Sequence, residues 1–153
     1  GGYPAATEFT VYVGDRAPDQ LRNIHAVCVE ALESTLEIMK PGTPLQQVWE
    51  EIRRPAEKAG MDFVELVFHG HGMTSPEFPT VVHRPDMGGP PSMNGSRIGK
   101  VEIQEGMVFG NNIDIFDPRC KPDVGCMLGD MVVVRKNGPE RLVNIPLELP
   151  EVG

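Results

Sequence analysis

The order of periodic segments constrains this chain most: one short strand-like run and two helical patterns come first, and after Gly60 only strand-like runs follow. In the first pattern, Leu21, Ile24, Val27, Cys28, Ala31, Leu32, Thr35, Leu36 and Met39 recur every three or four residues. Pro18 suits its first turn and Pro41-Gly42 stops it, which predicts one long helix. His25 falls just outside that stripe and is expected at a solvated boundary. The second pattern has Thr43 as expected N-cap, Pro44 at the first helical position and Gly60 at the stop. Pro55 is expected to kink or divide that helix.

The strand signals begin at residues 9–13, "FTVYV", which are β-branched, alternating and closed by Gly14. "FVELVFHG" (63–70) is nearly continuously apolar, and "TVVH" follows a proline-bounded turn. "VEIQEGMVFGNNIDIF" (101–116) holds two β segments broken at Glu105-Gly106. "GDMVVVRKNGPERLV" (129–143) reads as a hairpin turning on "KNG". One strand, two helices and then a run of strands predict an α+β domain, with helices on one face of a mostly antiparallel sheet.

The 153 residues suffice for a single domain with its own core. A net charge of −8 repels phosphate backbones and anionic lipid, so neither nucleic acid nor membrane is expected as a partner. No apolar run approaches the roughly 20 residues needed to cross a bilayer. The start "GGYPAATEF" has neither the basic nor the apolar stretch of a signal peptide. Cys28 belongs to the helical stripe and is expected to be a core thiol. Cys120 and Cys126 lack CxxC spacing and a second pair, so a reduced, cytoplasmic protein is the expectation. Residues 83–99, "HRPDMGGPPSMNGSRIG", are rich in breakers and read as a flexible loop, expected to act as a lid.

Chemistry concentrates in "FHGHGMTSPEFPTVVH" (68–83), which holds three of the four histidines. Three segments in order carry a resemblance: "HGHG" after an apolar strand, "IQEGMVFGNNI" and "GCMLGDMVVVRKNGPERLV". They resemble the pita-bread family of methionine aminopeptidase, prolidase (Xaa-Pro dipeptidase), aminopeptidase P and creatinase. "GYPAATEFTVYVG" (2–14) is similar to a further strand of that family. The resemblance implies a curved, mostly antiparallel pita-bread sheet made of two pseudo-symmetric halves. Residues 2–14 would end the first half and 18–145 would form the second. The remaining first half would then come from upstream chain or from another subunit, and a homo-oligomer is expected.

Family peptidases hold two divalent ions with two Asp, one His and two Glu. The resemblance places Ala6 at the second Asp, His71 at the ligand histidine, Asn112 at the first Glu and Gly129 at the last Glu, with Asp130 beside it. Phe78 stands where a substrate-binding histidine belongs. These exchanges remove the charged oxygen that hard cations prefer, so no cofactor is favoured. A single ion on His69, His71 and one of Asp114, Asp117 or Asp130 is the metal-bound alternative.

Creatinase implies a metal-free route in which histidine is the acid–base. On that reading His71 and His69 are the catalytic candidates, and Asn112, Glu77 and His83 are candidate contacts for a small amide or peptide substrate. The bland alternative is that both histidines only tie down a turn. In function, the hydrolase competes with a catalytically inactive module that binds a peptide or protein, and with a lyase on the same scaffold.

Overall fold

The computed structural model describes residues 2–83, 92–93, 101–121 and 124–153. Two helices, α1 (Asp19–Ile38) and α2 (Leu45–Ala59), precede the long strands. α1 buries Ile24, His25, Cys28, Ala31, Leu32 and Thr35, a stripe with the spacing of one helix face. His25 is inside that stripe, not at a solvated boundary: only 5% of it is exposed. It lies four residues after Leu21 and three before Cys28, which carries it onto the packed face. Among the described residues its Nε2 has no hydrogen-bond partner. Burial pulls its pKa below the ordinary value.

α2 starts one residue later than its sequence suggests, with Pro44 at the N-cap. The Thr43 hydroxyl does not cap it but donates to the Ile38 carbonyl at 2.7 Å, tying the two helices together at their junction. Pro55 does not divide α2, which runs unbroken through it. Its ring is buried with Ile52 and Ala56, so packing offsets the lost hydrogen bond. Gly60 ends the helix at φ 65°, a left-handed C-cap that glycine adopts without strain.

The main sheet contains β1 (Glu8–Phe9), β3 (Asp62–Gly70), β4 (Glu77–His83), β5 (Ser92–Met93), β6 (Val108–Asp117), β7 (Val124–Arg135) and β8 (Gly138–Arg141). Their order is β1-β7-β6-β3-β4-β5, with β8 also pairing β7. Every pairing in it is antiparallel. β2 (Tyr12–Val13) pairs in parallel with β9 (Glu151–Val152) as a separate ribbon.

Residues 9–13 therefore form two short strands instead of one. At the break, the Thr10 hydroxyl accepts the Met127 N–H at 2.8 Å and donates to the Met127 carbonyl at 3.2 Å. That side chain replaces the next ladder step and releases the backbone toward β9. β4 begins at Glu77, earlier than the apolar run suggests, and includes Pro79. Val81 and Val82 pair with Met93 and Ser92. Residues 84–91 and 94–100, the body of the expected lid, lie outside the described residues.

Both helices pack on one face of the sheet: α1 across β6 and β7, and α2 beside β3. Phe109, Ile113 and Ile115 of β6 and Leu128, Val132 and Val134 of β7 alternate onto that face and join the core. Asp130, on the same face, is paired with Arg141, which also donates to the Ile145 carbonyl at 2.7 Å. Cys28, Cys120 and Cys126 are all buried free thiols. Burial pushes the Cys126 thiol up to about 11. No helix among the described residues is long and apolar enough to cross a membrane.

Candidate active site

The opposite, helix-free face carries the residues that the sequence singles out. Alternation along β6 sends Gly110 and Asn112 there, and pairing adds their neighbours. His69 is opposite Gly110, which is opposite Met131; Asn112 is opposite Gly129, which is opposite Glu8. The face is thus built from two adjacent cross-strand rows, one containing His69 and the other containing Asn112.

The His69 imidazole lies directly over Gly110: a Cβ there would be 2.7 Å from the ring. Only glycine leaves room for it. His69 Nδ1 is 2.9 Å from the Gly70 carbonyl oxygen. A carbonyl can only accept, so Nδ1 carries the proton, and in the neutral ring Nε2 keeps its lone pair. Among the described residues no hydrogen bond engages that Nε2.

A register shift between His69 and Gly70 turns the chain off β3, and the His71 N–H then donates to the Val108 carbonyl at 2.9 Å. The two imidazoles converge, with ring centroids 5.5 Å apart. His71 is the more constrained of the two. Its Nε2 donates to the Pro4 carbonyl at 2.8 Å, and its Nδ1 accepts the Ser75 hydroxyl at 3.1 Å. Both ring nitrogens are spent on holding the N-terminal segment and the 71–77 turn.

Glu77 shares with His71 a pocket of about 490 Å³, lined also by Tyr3, Phe78 and Met107. The Glu77 carboxylate folds back over Gly72, where a Cβ would overlap it, and accepts the Thr74 hydroxyl at 3.1 Å. Asn112 is half-buried, in the other row. His83 is the last residue of β4, and its side chain lies outside the described residues. The structure thus brings His69, His71 and Glu77 to one end of the open face, with Asn112 one row away from His69.

Sequence reasoning passed over Asn111. It is fully buried on the helix-covered face, and among the described residues neither amide atom has a hydrogen-bond partner. Its alternation with Phe109 and Ile113 is the signal that would have placed it there. Glu8 was also missed; the pairing of β1 with β7 puts it opposite Gly129.

The donors present do not fit the two-ion centre that the resemblance implies. Gly129 has no side chain, and the Asn112 Oδ1 lies 3.1 Å from where its Cβ would be. Ala6 presents a methyl group, and its N–H points to the Met131 sulfur at 3.2 Å. The His71 Nε2 is already used by Pro4. Nor do the aspartates of the single-ion alternative join the histidines. Asp130 is on the other face with Arg141, and Asp117 is bound by Arg119. Asp114 lines a separate pocket with Thr10, Val64 and Met127. Among the described residues, no group of three or more His, Cys, Asp or Glu side chains is placed to hold an ion.

Comparison with known proteins agrees with this architecture. The Xaa-Pro dipeptidase of Lactobacillus helveticus is 28% identical over 139 residues, spanning 90% of this chain and 33% of its own. A dipeptidase from Mycobacterium ulcerans superposes with a TM-score of 0.71 at 26% identity, over 93% of this chain and 34% of that one. A dipeptidase from Pyrococcus horikoshii gives 0.72 at 25% identity, over 95% and 37%. The chain therefore spans about a third of the length of the relatives it matches. The model of metallopeptidase family M24 matches residues 1–136, so this pita-bread chain belongs to that family.

Proposed function

We propose that this chain, within a complete domain, hydrolyses a small C–N substrate such as an Xaa-Pro-like amide by histidine acid–base chemistry, with no metal ion in the step. The observation carrying this reading is the His69 tautomer: Nδ1–H is fixed on the Gly70 carbonyl, and among the described residues no hydrogen bond engages the Nε2 lone pair of this buried ring. A neutral imidazole of that form has a lone pair that can act as a general base. Its Nε2 accepts a proton from water as the water oxygen bonds to the substrate carbonyl carbon. The Asn112 amide N–H donates to the oxyanion that forms. As the C–N bond breaks, the imidazolium returns the proton to the leaving nitrogen, giving a carboxylic acid and an amine.

His71 has a supporting part in this scheme, because its two nitrogens hold Pro4 and Ser75. The scheme also takes residues 2–14 as the end of the first half and 18–145 as the second. The rest of the first half comes from upstream chain or another subunit, in a cytoplasmic homo-oligomer. The two-residue edge strand β1 supports this, because its outer hydrogen-bonding groups invite a neighbour.

The test is steady-state kinetics of the full-length protein and its His69→Ala variant on Xaa-Pro dipeptides and small amides. kcat falls by about 10²-fold or more in the variant, with KM within a few-fold. Equal turnover by the two proteins, or none by either, removes the catalytic reading.

A second reading, a catalytically inactive module that binds a peptide or protein partner, has one specific support. Tyr3 and Phe78 at the His71 pocket are 78% and 57% exposed, apolar surface of a kind that binding covers. On that reading no panel member is turned over, and peptide affinity is the same with and without His69.

A further inference from the structure

We infer that Tyr3, Phe78 and Glu77 form a binding site for a methylated, permanently charged onium group such as trimethylammonium. The inference goes beyond the hydrolase and holds on either reading of function, because binding does not require turnover. The three side chains line one pocket of about 490 Å³, together with His71. Two aromatic rings, 78% and 57% exposed, stand there beside a half-buried carboxylate. Exposed aromatic surface gathered at one pocket marks a place that a ligand covers.

Each of the three groups is held by its surroundings. Gly70 pairs with Glu77 and His69 with Thr80, so Phe78 and Pro79 form a bulge between consecutive ladder partners. A bulge re-aims the side chains it carries, which accounts for an exposed Phe78 within a strand. Tyr3 is held through its neighbour, because the Pro4 carbonyl accepts the His71 Nε2–H at 2.8 Å. The Glu77 carboxylate fills the place where a Cβ on Gly72 would stand, and its Oε2 accepts the Thr74 hydroxyl at 3.1 Å. Among the described residues no cation pairs with that carboxylate.

This lining selects its ligand. An aromatic face attracts a cation through its quadrupole but offers no lone pair of the kind a carbonyl does. A primary ammonium carries three N–H donors and would leave some of them unmet between two rings. Trimethylammonium has none to satisfy. Its charge is spread over methyl groups, which pack against the two rings and against Met107 and Pro79 of the same pocket. Glu77 supplies the opposite charge without having to meet a donor. Both His71 nitrogens are already engaged, so the imidazole adds a wall and no further hydrogen bond.

Calorimetry of the full-length protein separates charge from methylation with three probes: choline, its uncharged carbon isostere dimethylbutanol, and its unmethylated counterpart ethanolamine. Wild type is expected to bind choline at least tenfold more tightly than either of the others. Phe78→Leu and Tyr3→Leu keep apolar bulk and remove a ring. Each is expected to weaken choline about fivefold or more with an unchanged melting temperature, since both positions are exposed. Glu77→Gln is expected to weaken choline several-fold and to spare dimethylbutanol. Equal affinity for choline and dimethylbutanol, tighter binding of ethanolamine, no binding of choline, or a choline preference that survives Phe78→Leu overturns the site. Free molecules and lipid headgroups both carry this group. Co-sedimentation with phosphatidylcholine vesicles that Phe78→Leu abolishes would assign the site to a headgroup, and choline binding without co-sedimentation assigns it to a free ligand. Choline binding with no turnover by wild type removes only the hydrolase, whereas turnover that depends on His69 in a protein that does not bind choline removes only this site.

Discussion

Asn111 and Asn112 are adjacent on β6, yet the two faces of one sheet give them different physical lives. Asn111 is turned toward the helices, fully buried, between its cross-strand neighbours Phe68 and Asp130. Asn112 is turned the other way, half-buried beside the floor of Gly129. The helix-covered face follows hydrophobic alternation and holds the fold together. The open face replaces bulk with glycine at 110 and 129 and keeps polar groups around the gaps. Stability and chemistry are therefore separated by the pleat of a single strand.

The largest expected effect is on the covered face. Phe109, fully buried and stacked on Phe68 at 4.4 Å, loses about 3–5 kcal/mol of stability on substitution by alanine. Asn112→Ala changes it by no more than about 0.5 kcal/mol. Urea unfolding of the two variants measures the contrast, and comparable losses would erase the distinction between the faces.

Asn111→Leu sharpens it further. Its amide has no partner among the described residues, so replacing it with an apolar side chain of similar size is expected to stabilise by about 1 kcal/mol. A loss of stability in the same unfolding experiment would mean that the amide is satisfied in solution.

His25 gives a smaller, pH-dependent effect on the covered side. Burial lowers its pKa in the folded protein, so below about pH 6.5 the unfolded chain binds the proton more readily. Stability contributed by the neutral ring is present above that pH and is lost as pH falls toward the folded-state value. Thermal melts of wild type and His25→Leu from pH 7.5 to 5.0 are expected to diverge, with the wild type declining more steeply. Parallel curves would show that the ring is not desolvated.

What was legible in the sequence follows the same division. The covered face was read from the stripes of α1 and α2 and the alternation of β6 and β7, because burying apolar surface needs a periodic pattern. His25 was misplaced because a polar residue was counted out of a stripe whose spacing includes it. The unbroken run of α2 through Pro55 depended on burial of the proline ring, which no local propensity reports. The break at Thr10 depended on a partner more than a hundred residues away.

On the open face the two histidines and Asn112 were found through resemblance, since no periodicity marks them. Their ranking was not legible. His71 is the residue that the "HGHG" motif emphasises, but Pro4 and Ser75 occupy its nitrogens, while among the described residues no hydrogen bond engages the Nε2 of His69. Such a ranking depends on hydrogen bonds made by distant backbone, which spacing alone does not encode.

Chelator sensitivity of the full-length protein tests the central claim most directly. Turnover of an Xaa-Pro-like amide is measured before and after exhaustive dialysis against EDTA. Unchanged kcat/KM is the result expected of an imidazole acting at this open face. A rate that disappears with the chelator and returns with Mn²⁺, Co²⁺ or Zn²⁺ would contradict it.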